Sequence, residues 1–218
     1  MKPKPTYTPR TPDEIARRVV EDIHDGAYVN LGIGRPMLVS NHLPAGKDII
    51  LHSENGVLGM GAVATGPDAD PDYVNAGKQS IKLRNGAALF HHADSFSMIR
   101  GGHIDICILG AFQVSEQGDL ANWRTMDKTA IPAVGGAMDL AVGAKQVFIM
   151  MEHLTKDGES KLVQSCSYPL TAAKVVTRVY TDLATLEVSK NGFKVVDKVF
   201  GLSHQELESI SRLTIQEE

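Results

Sequence analysis

The apolar positions of the chain follow two alternating rhythms. Ile15, Val19 and Ile23 recur at helical spacing after Thr11-Pro12-Asp13-Glu14. That opening supplies a threonine N-cap, a proline at the first helical position and a glutamate three residues after the cap. The spacing predicts a helix reaching about Gly26. The short apolar run 27–31 ends at Gly32-Ile33-Gly34, and Met37, Leu38 and Leu43 form a second helical stripe. Residues 48–51 make another short strand, which stops at the polar turn His52-Ser53-Glu54-Asn55-Gly56. The glycines beyond it predict a loop as far as Gly66.

The same alternation continues downstream. A helix is predicted from Ala93 to Arg100, a strand over 104–109, a helix from Gly135-Gly136 to Ala144 and a strand over 146–151. Strands separated by helices specify an α/β fold with a mixed, largely parallel sheet flanked by helices, because parallel neighbours need crossover connections. Near the C-terminus the pattern changes. Residues 179–188 and 193–200 flank Asn191-Gly192, a strong hairpin signal, so an antiparallel addition to the sheet is expected. Ser203 with Glu206 forms a second capping box and starts a final helix. Residues 1–10 read as an N-terminal tail and 11–218 as one domain, with no repeat or dividing linker.

Composition narrows the function classes. Of the 218 residues, 43% are hydrophobic and 22% charged, as in an ordinary globular protein. Twenty-two basic and 26 acidic residues leave a net charge of −4, which gives no electrostatic footprint for nucleic acid or an anionic membrane. No apolar run approaches the roughly 20 residues of a membrane-spanning helix. Cys107 and Cys166 are far apart, and Cys107 lies within an apolar run, so a reducing, cytoplasmic setting with a buried Cys107 thiol is expected.

Open α/β sheets build sites at glycine-flanked turns beyond the carboxyl ends of their strands. Three segments qualify: 30–34, 53–61 and 134–139. Glu54 follows a strand directly and has small or turn-forming neighbours, so its carboxylate is accessible to a substrate; a solvated, turn-capping glutamate satisfies the same pattern. Gly136 suits a backbone donor to an oxyanion, or simply a turn before a helix. Asn30 could cap its turn, and Lys78 could be a solvated lysine. His91-His92 with Asp94, and His52 near Glu54, lack metal-ligand spacing, so no metal is expected. Trp123 suits a core or pocket anchor. Arg100 could pair with a substrate carboxylate, with Asp94 or with a helix end.

The motifs Asn30-Leu31-Gly32-Ile33-Gly34, Ser53-Glu54-Asn55-Gly56-Val57-Leu58-Gly59, Gly118-Asp119-Leu120-Ala121-Asn122-Trp123 and Gly135-Gly136-Ala137-Met138-Asp139 together resemble the B subunit of 3-oxoacid CoA-transferases. The likeness runs from about Asp13 to Phe200. His91-His92-Ala93-Asp94-Ser95-Phe96-Ser97-Met98 and Met151-Glu152-His153-Leu154-Thr155-Lys156 are similar to the branch that uses 3-oxoadipate; the alternative is an acetoacetate-using relative.

The resemblance implies the α/β CoA-transferase fold and ping-pong chemistry through a glutamyl-CoA thioester on Glu54. It also implies Gly136 as a backbone oxyanion donor, and Asn30 and Lys78 as CoA contacts. It implies no tightly bound cofactor, CoA entering as part of the substrate. A separate A subunit is implied to complete the site in an A2B2 or larger assembly. A carboxylate nucleophile is already ionised near neutrality, so the absence of a triad is no objection. A non-catalytic CoA-binding protein on the same scaffold and a thioester hydrolase are the competing readings.

Overall fold

The computed structural model describes residues 6–126, 129 and 134–217. In chain order these form α1 (Pro12–Glu21), β1 (Tyr28–Leu31), a 3-10 segment (Arg35–Asn41), β2 (Ile50–Ser53), β3 (Val57–Val63) and β4 (Ile81–Leu89). Then come α2 (His92–Arg100), β5 (Ile106–Leu109), β6 (Gln113–Ser115), β7 (Leu120–Ala121), α3 (Ala137–Gly143), β8 (Gln146–Met150) and β9 (Leu162–Val163). The C-terminal part holds β10 (Val176–Tyr180), β11 (Ala184–Ser189), β12 (Gly192–Lys198) and α4 (His204–Ser211).

Nine strands join in the order β12-β11-β10-β8-β5-β1-β2-β3-β4. The central run from β10 to β2 is parallel, and antiparallel strands close each side. A small second sheet pairs β7, β6 and β9. This is the mixed, largely parallel α/β sheet that the sequence pattern specifies. The strands alternate their side chains between two cores, as period-2 geometry requires. Ile106, Ile108, Phe148 and Met150 face one core with Ile15 and Val19 of α1. Cys107, Leu109, Val147 and Ile149 face the other, with Ile99, Leu140 and Leu207 of α2, α3 and α4. Both predicted capping boxes form, at Thr11/Glu14 and Ser203/Glu206.

Four sequence expectations change. The glycine-rich stretch after Glu54 is strand β3, paired with β4, rather than a loop. Its glycines mark places where the β4 backbone passes closely: a Cβ at Gly61 would sit 2.8 Å from the Lys82 carbonyl oxygen, and one at Gly59 3.0 Å from Ala87 Cα. The stripe after Gly34 winds as a 3-10 segment, where Ser40 Oγ donates to the Met37 carbonyl at 2.8 Å. The run 179–188 is two strands, β10 and β11, folded at Thr181, whose Oγ1 accepts from the Leu183 and Ala184 amides. Finally, α1 ends at Glu21, and residues 6–10 are tied to the C-terminal hairpin: Arg10 donates from its amide to the Asp182 carbonyl and pairs with Asp197, and Thr6 bonds Gly201.

Candidate active site

The Glu54 turn is the tip of the β2–β3 hairpin. Ser53 pairs with Val57, leaving residues 54–56 to reverse the chain. Gly56 has φ of +109°, and a Cβ there would lie 2.2 Å from the Phe90 carbonyl oxygen, so both conformation and space demand glycine. The turn is strapped on both sides to the loop before β4. Ser53 Oγ accepts from the Ala76 amide at 3.0 Å, and Asn55 Nδ2 donates to the Val74 carbonyl at 2.8 Å.

Glu54 opens into a cavity of about 530 Å³ at the carboxyl ends of β1, β2, β5 and β8. This is where a parallel sheet presents its crevice. The three segments singled out from the sequence converge there: Leu31, Gly32 and Ile33, then Glu54, then 134–137. Gly136, the N-cap of α3, lies directly against the acid; a Cβ on it would stand 2.8 Å from Glu54 Oε2 and 3.1 Å from Oε1. Only a glycine lets the helix end meet the carboxylate this closely. Burial pushes the Glu54 carboxyl above its ordinary value; the neighbouring His92 opposes that shift and Asp139 adds to it. The cavity walls are mainly apolar, which sustains that desolvation.

The other two expected contacts are placed differently. Asn30 is buried on β1, behind the cavity wall rather than in its lining, and its Nδ2 faces His52. Lys78 has φ of +63° and stands two residues beyond Ala76, on the loop strapped to the Glu54 turn. Ala76 itself lines the cavity. Arg100 bonds Asp139 at 2.7 Å and not Asp94, and Trp123 donates from Nε1 to the Leu170 carbonyl outside the cavity. Cys107 is completely buried, and burial, with the Glu54 charge second, raises its thiol pKa. Among the described residues no group of three or more His, Cys, Asp or Glu side chains could hold a metal, and no helix is long and apolar enough to cross a membrane.

Sequence reasoning passed over four polar lining residues, Arg35, Asn122, Glu152 and Lys161. Arg35 and Glu152 form an ion pair at the cavity wall. Asn122 Nδ2 donates to the Gly110 carbonyl at 3.1 Å. Glu152 follows β8 much as Glu54 follows β2, so the strand-end rule that singled out Glu54 also reaches it.

Comparison with known proteins agrees with this geometry. Residues 13–199 match the Coenzyme A transferase family. The chain is 61% identical over 198 residues to the B subunit of the 3-oxoadipate CoA-transferase of Pseudomonas putida, covering 91% of this chain and 92% of that one. It is 50% identical over 191 residues to the B subunit of the succinyl-CoA:3-ketoacid coenzyme A transferase of Helicobacter pylori, covering 88% and 91%. Among solved structures, an acyl-CoA transferase from Escherichia coli O157:H7 superposes with a TM-score of 0.74 at 18% identity. The match takes in 96% of this chain but only 42% of that longer one, and at this identity it shows the fold alone. A sheet crevice lined by a half-buried glutamate, and sequence identity along nearly the whole length, have one common explanation: the chain belongs to the coenzyme A transferase family.

Proposed function

We propose that the chain is the glutamate-bearing B subunit of a 3-oxoacid CoA-transferase that moves CoA from succinyl-CoA to a 3-oxo acid, 3-oxoadipate above all. The observation that carries this reading is the Glu54 carboxylate held against Gly136 inside the strand-end cavity. The identity to 3-oxoadipate and succinyl-CoA:3-ketoacid transferase subunits supports the substrate class.

In this mechanism Glu54 attacks the donor thioester carbonyl and CoA leaves as thiolate, giving a mixed acyl-glutamyl anhydride. The thiolate then attacks the glutamyl carbonyl carbon, releasing the donor acid as carboxylate and leaving Glu54 as a CoA thioester. The acceptor carboxylate repeats both steps in reverse order and regenerates free Glu54. Each addition places negative charge on a carbonyl oxygen, and the Gly136 amide donates to it in this reading, which the closeness of Gly136 to Glu54 supports. The half-buried site strips water from a weak nucleophile and protects the anhydride from hydrolysis. Asn30 and Lys78 serve the CoA arm, whose binding energy drives the carboxylate attack. An A subunit completes the site in an A2B2 or larger assembly, CoA being a substrate moiety rather than a resident cofactor.

Mixing the assembled enzyme with succinyl-CoA alone, followed by peptide mass mapping, tests the reading. A CoA adduct on the Glu54 peptide is expected. An adduct elsewhere, or stoichiometric release of free CoA without transfer to 3-oxoadipate, would refute it.

A further inference from the structure

The walls of the Glu54 cavity are mainly apolar, so the few charged side chains on them stand out. Among the described lining residues these are Arg35, Glu54, Glu152 and Lys161. Glu54 is taken up by the chemistry above. Arg35 and Glu152 neutralise each other as an ion pair. Lys161 is left as the cation without a counter-ion: its ammonium has no hydrogen-bond or ion-pair partner among the described residues, although the residue is only partly exposed.

The backbone of Lys161 is pinned from both sides. Its amide donates to the His153 carbonyl and its carbonyl accepts from the Val114 amide, each at 3.0 Å. The side chain therefore lines the cavity from a rigid support between β6 and the segment that follows β8. Burial pushes the Lys161 pKa below its ordinary value; Glu152 opposes that shift and Arg35 adds to it. Withdrawing a cation from water without a paired anion is unfavourable, so a lysine held this way in a substrate cavity selects for a negative group on what binds there.

The proposed reaction supplies such a group on both sides. Succinyl-CoA carries a free carboxylate at the far end of its acyl group. 3-Oxoadipate keeps a second carboxylate when the one nearer its keto group reacts at Glu54. Each brings a negative charge into a mainly apolar cavity, where desolvation without a donor is costly. An acetoacetyl group brings none.

We propose that Lys161 is a specificity-determining residue: its ammonium donates to the distal carboxylate of the dicarboxylic acyl group, on the donor and on the acceptor in turn. The inference rests on the function proposed above and ties its substrate class to one side chain. One contact serves both half-reactions, because a ping-pong exchange brings both acyl groups to the same carboxylate.

The test uses the enzyme assembled with its A subunit and crosses a change in the protein with a change in the substrate. The acceptors are 3-oxoadipate and its monoester, in which the distal carboxylate is a methyl ester. In ping-pong kinetics the acceptor kcat/KM does not depend on the donor, so the acid-to-ester ratio isolates this contact. Wild-type enzyme is expected to prefer the acid by about 30-fold, as for loss of a charge-assisted hydrogen bond. Lys161→Met should bring that ratio to within about threefold of unity, and Lys161→Arg, which keeps the charge, should retain most of the preference. If Lys161→Met does not assemble, Lys161→Gln takes its place. Wild-type enzyme that takes acid and ester equally, or a Met or Gln variant that loses activity on both by the same factor, would overturn the inference. The two levels separate in the same assays. Wild-type enzyme that passes CoA to neither acceptor overturns the functional reading and this inference with it, whereas normal exchange with an unchanged ratio in the variant overturns the inference only.

Discussion

His52 and His153 are both fully buried, and both have pKa values pushed down to about 4 by desolvation. Each ring nitrogen in both has a polar neighbour. His153 Nδ1 lies 3.1 Å from Thr181 Oγ1 and Nε2 2.8 Å from Ser211 Oγ, which in turn donates to the Leu207 carbonyl at 2.7 Å. That cluster is closed: it ties the segment after β8 to the β10–β11 turn and to α4, and its side-chain polar atoms are satisfied. The His52 cluster ties β1, β2 and α2 together in the same way but leaves the buried Asn30 Oδ1 without a partner among the described residues. The same residue type with the same burial and the same acid shift thus sits in two kinds of network. A fully satisfied buried network stabilises the fold, whereas a network with one unpaired acceptor carries a desolvation cost.

The contrast can be broken most strongly at the nucleophile two residues beyond His52. Glu54→Ala is expected to reduce thioester exchange by about 10⁴-fold or more, in the range seen when a nucleophile is removed. Thermal unfolding should show no loss of stability, because burial disfavours the charged carboxylate that the substitution deletes. A destabilised Glu54→Ala protein would mean that the acid is structural.

Gly136→Ala should come next in size. The added Cβ meets the Glu54 carboxylate at 2.8 Å, and that flexible side chain can swing away, so the fold survives while the nucleophile is displaced. Misplacement on this scale costs about 10²-fold in turnover. Turnover and melting temperature measured on the same preparation separate displacement from misfolding.

His153→Leu sharpens the comparison from the closed side. It removes the histidine partner of Thr181 and Ser211, which keep their backbone bonds, and should lower unfolding free energy by about 1–3 kcal/mol. The kinetic constants of the molecules that remain folded should be unchanged, as urea titration and active-site-normalised kinetics would reveal. A selective rise in KM for succinyl-CoA would make His153 part of the substrate site.

Acid supplies the subtlest test. For each histidine the folded-state pKa of about 4 lies below the unfolded value of 6.5, so the unfolded chain binds more protons between these limits. Stability from the neutral rings is therefore complete above pH 6.5 and is lost as pH falls toward 4, by about 3 kcal/mol per ring. Replacing either histidine with leucine should flatten the pH dependence of unfolding in that window by about half, when compared by urea midpoints at pH 7 and pH 5.

Much of the fold was legible because its signals are local. The caps at Thr11 and Ser203 act within one turn, and the Asn191-Gly192 dipeptide fixes its own hairpin. The β3 strand was not legible. Gly59 and Gly61 look like loop residues until β4 is known to pass against them, and that contact joins residues more than 20 positions apart. Glu54 stood out as an acid at a strand end, and the family motif gave it a role. Arg35 and Lys161 became visible only when separate segments delivered them to one cavity.

By itself the sequence determined the α/β class, the order of most strands and helices, and the identity of the acid at the β2 turn, since propensity, capping and turn chemistry act between near neighbours. Tertiary structure decided the rest. It brought Gly136 against Glu54, set Asn30 in register with His52 and left Asn30 Oδ1 unpaired. Those outcomes depend on which strands lie side by side and on which faces exclude water. Such relations exist only once the chain has closed on itself.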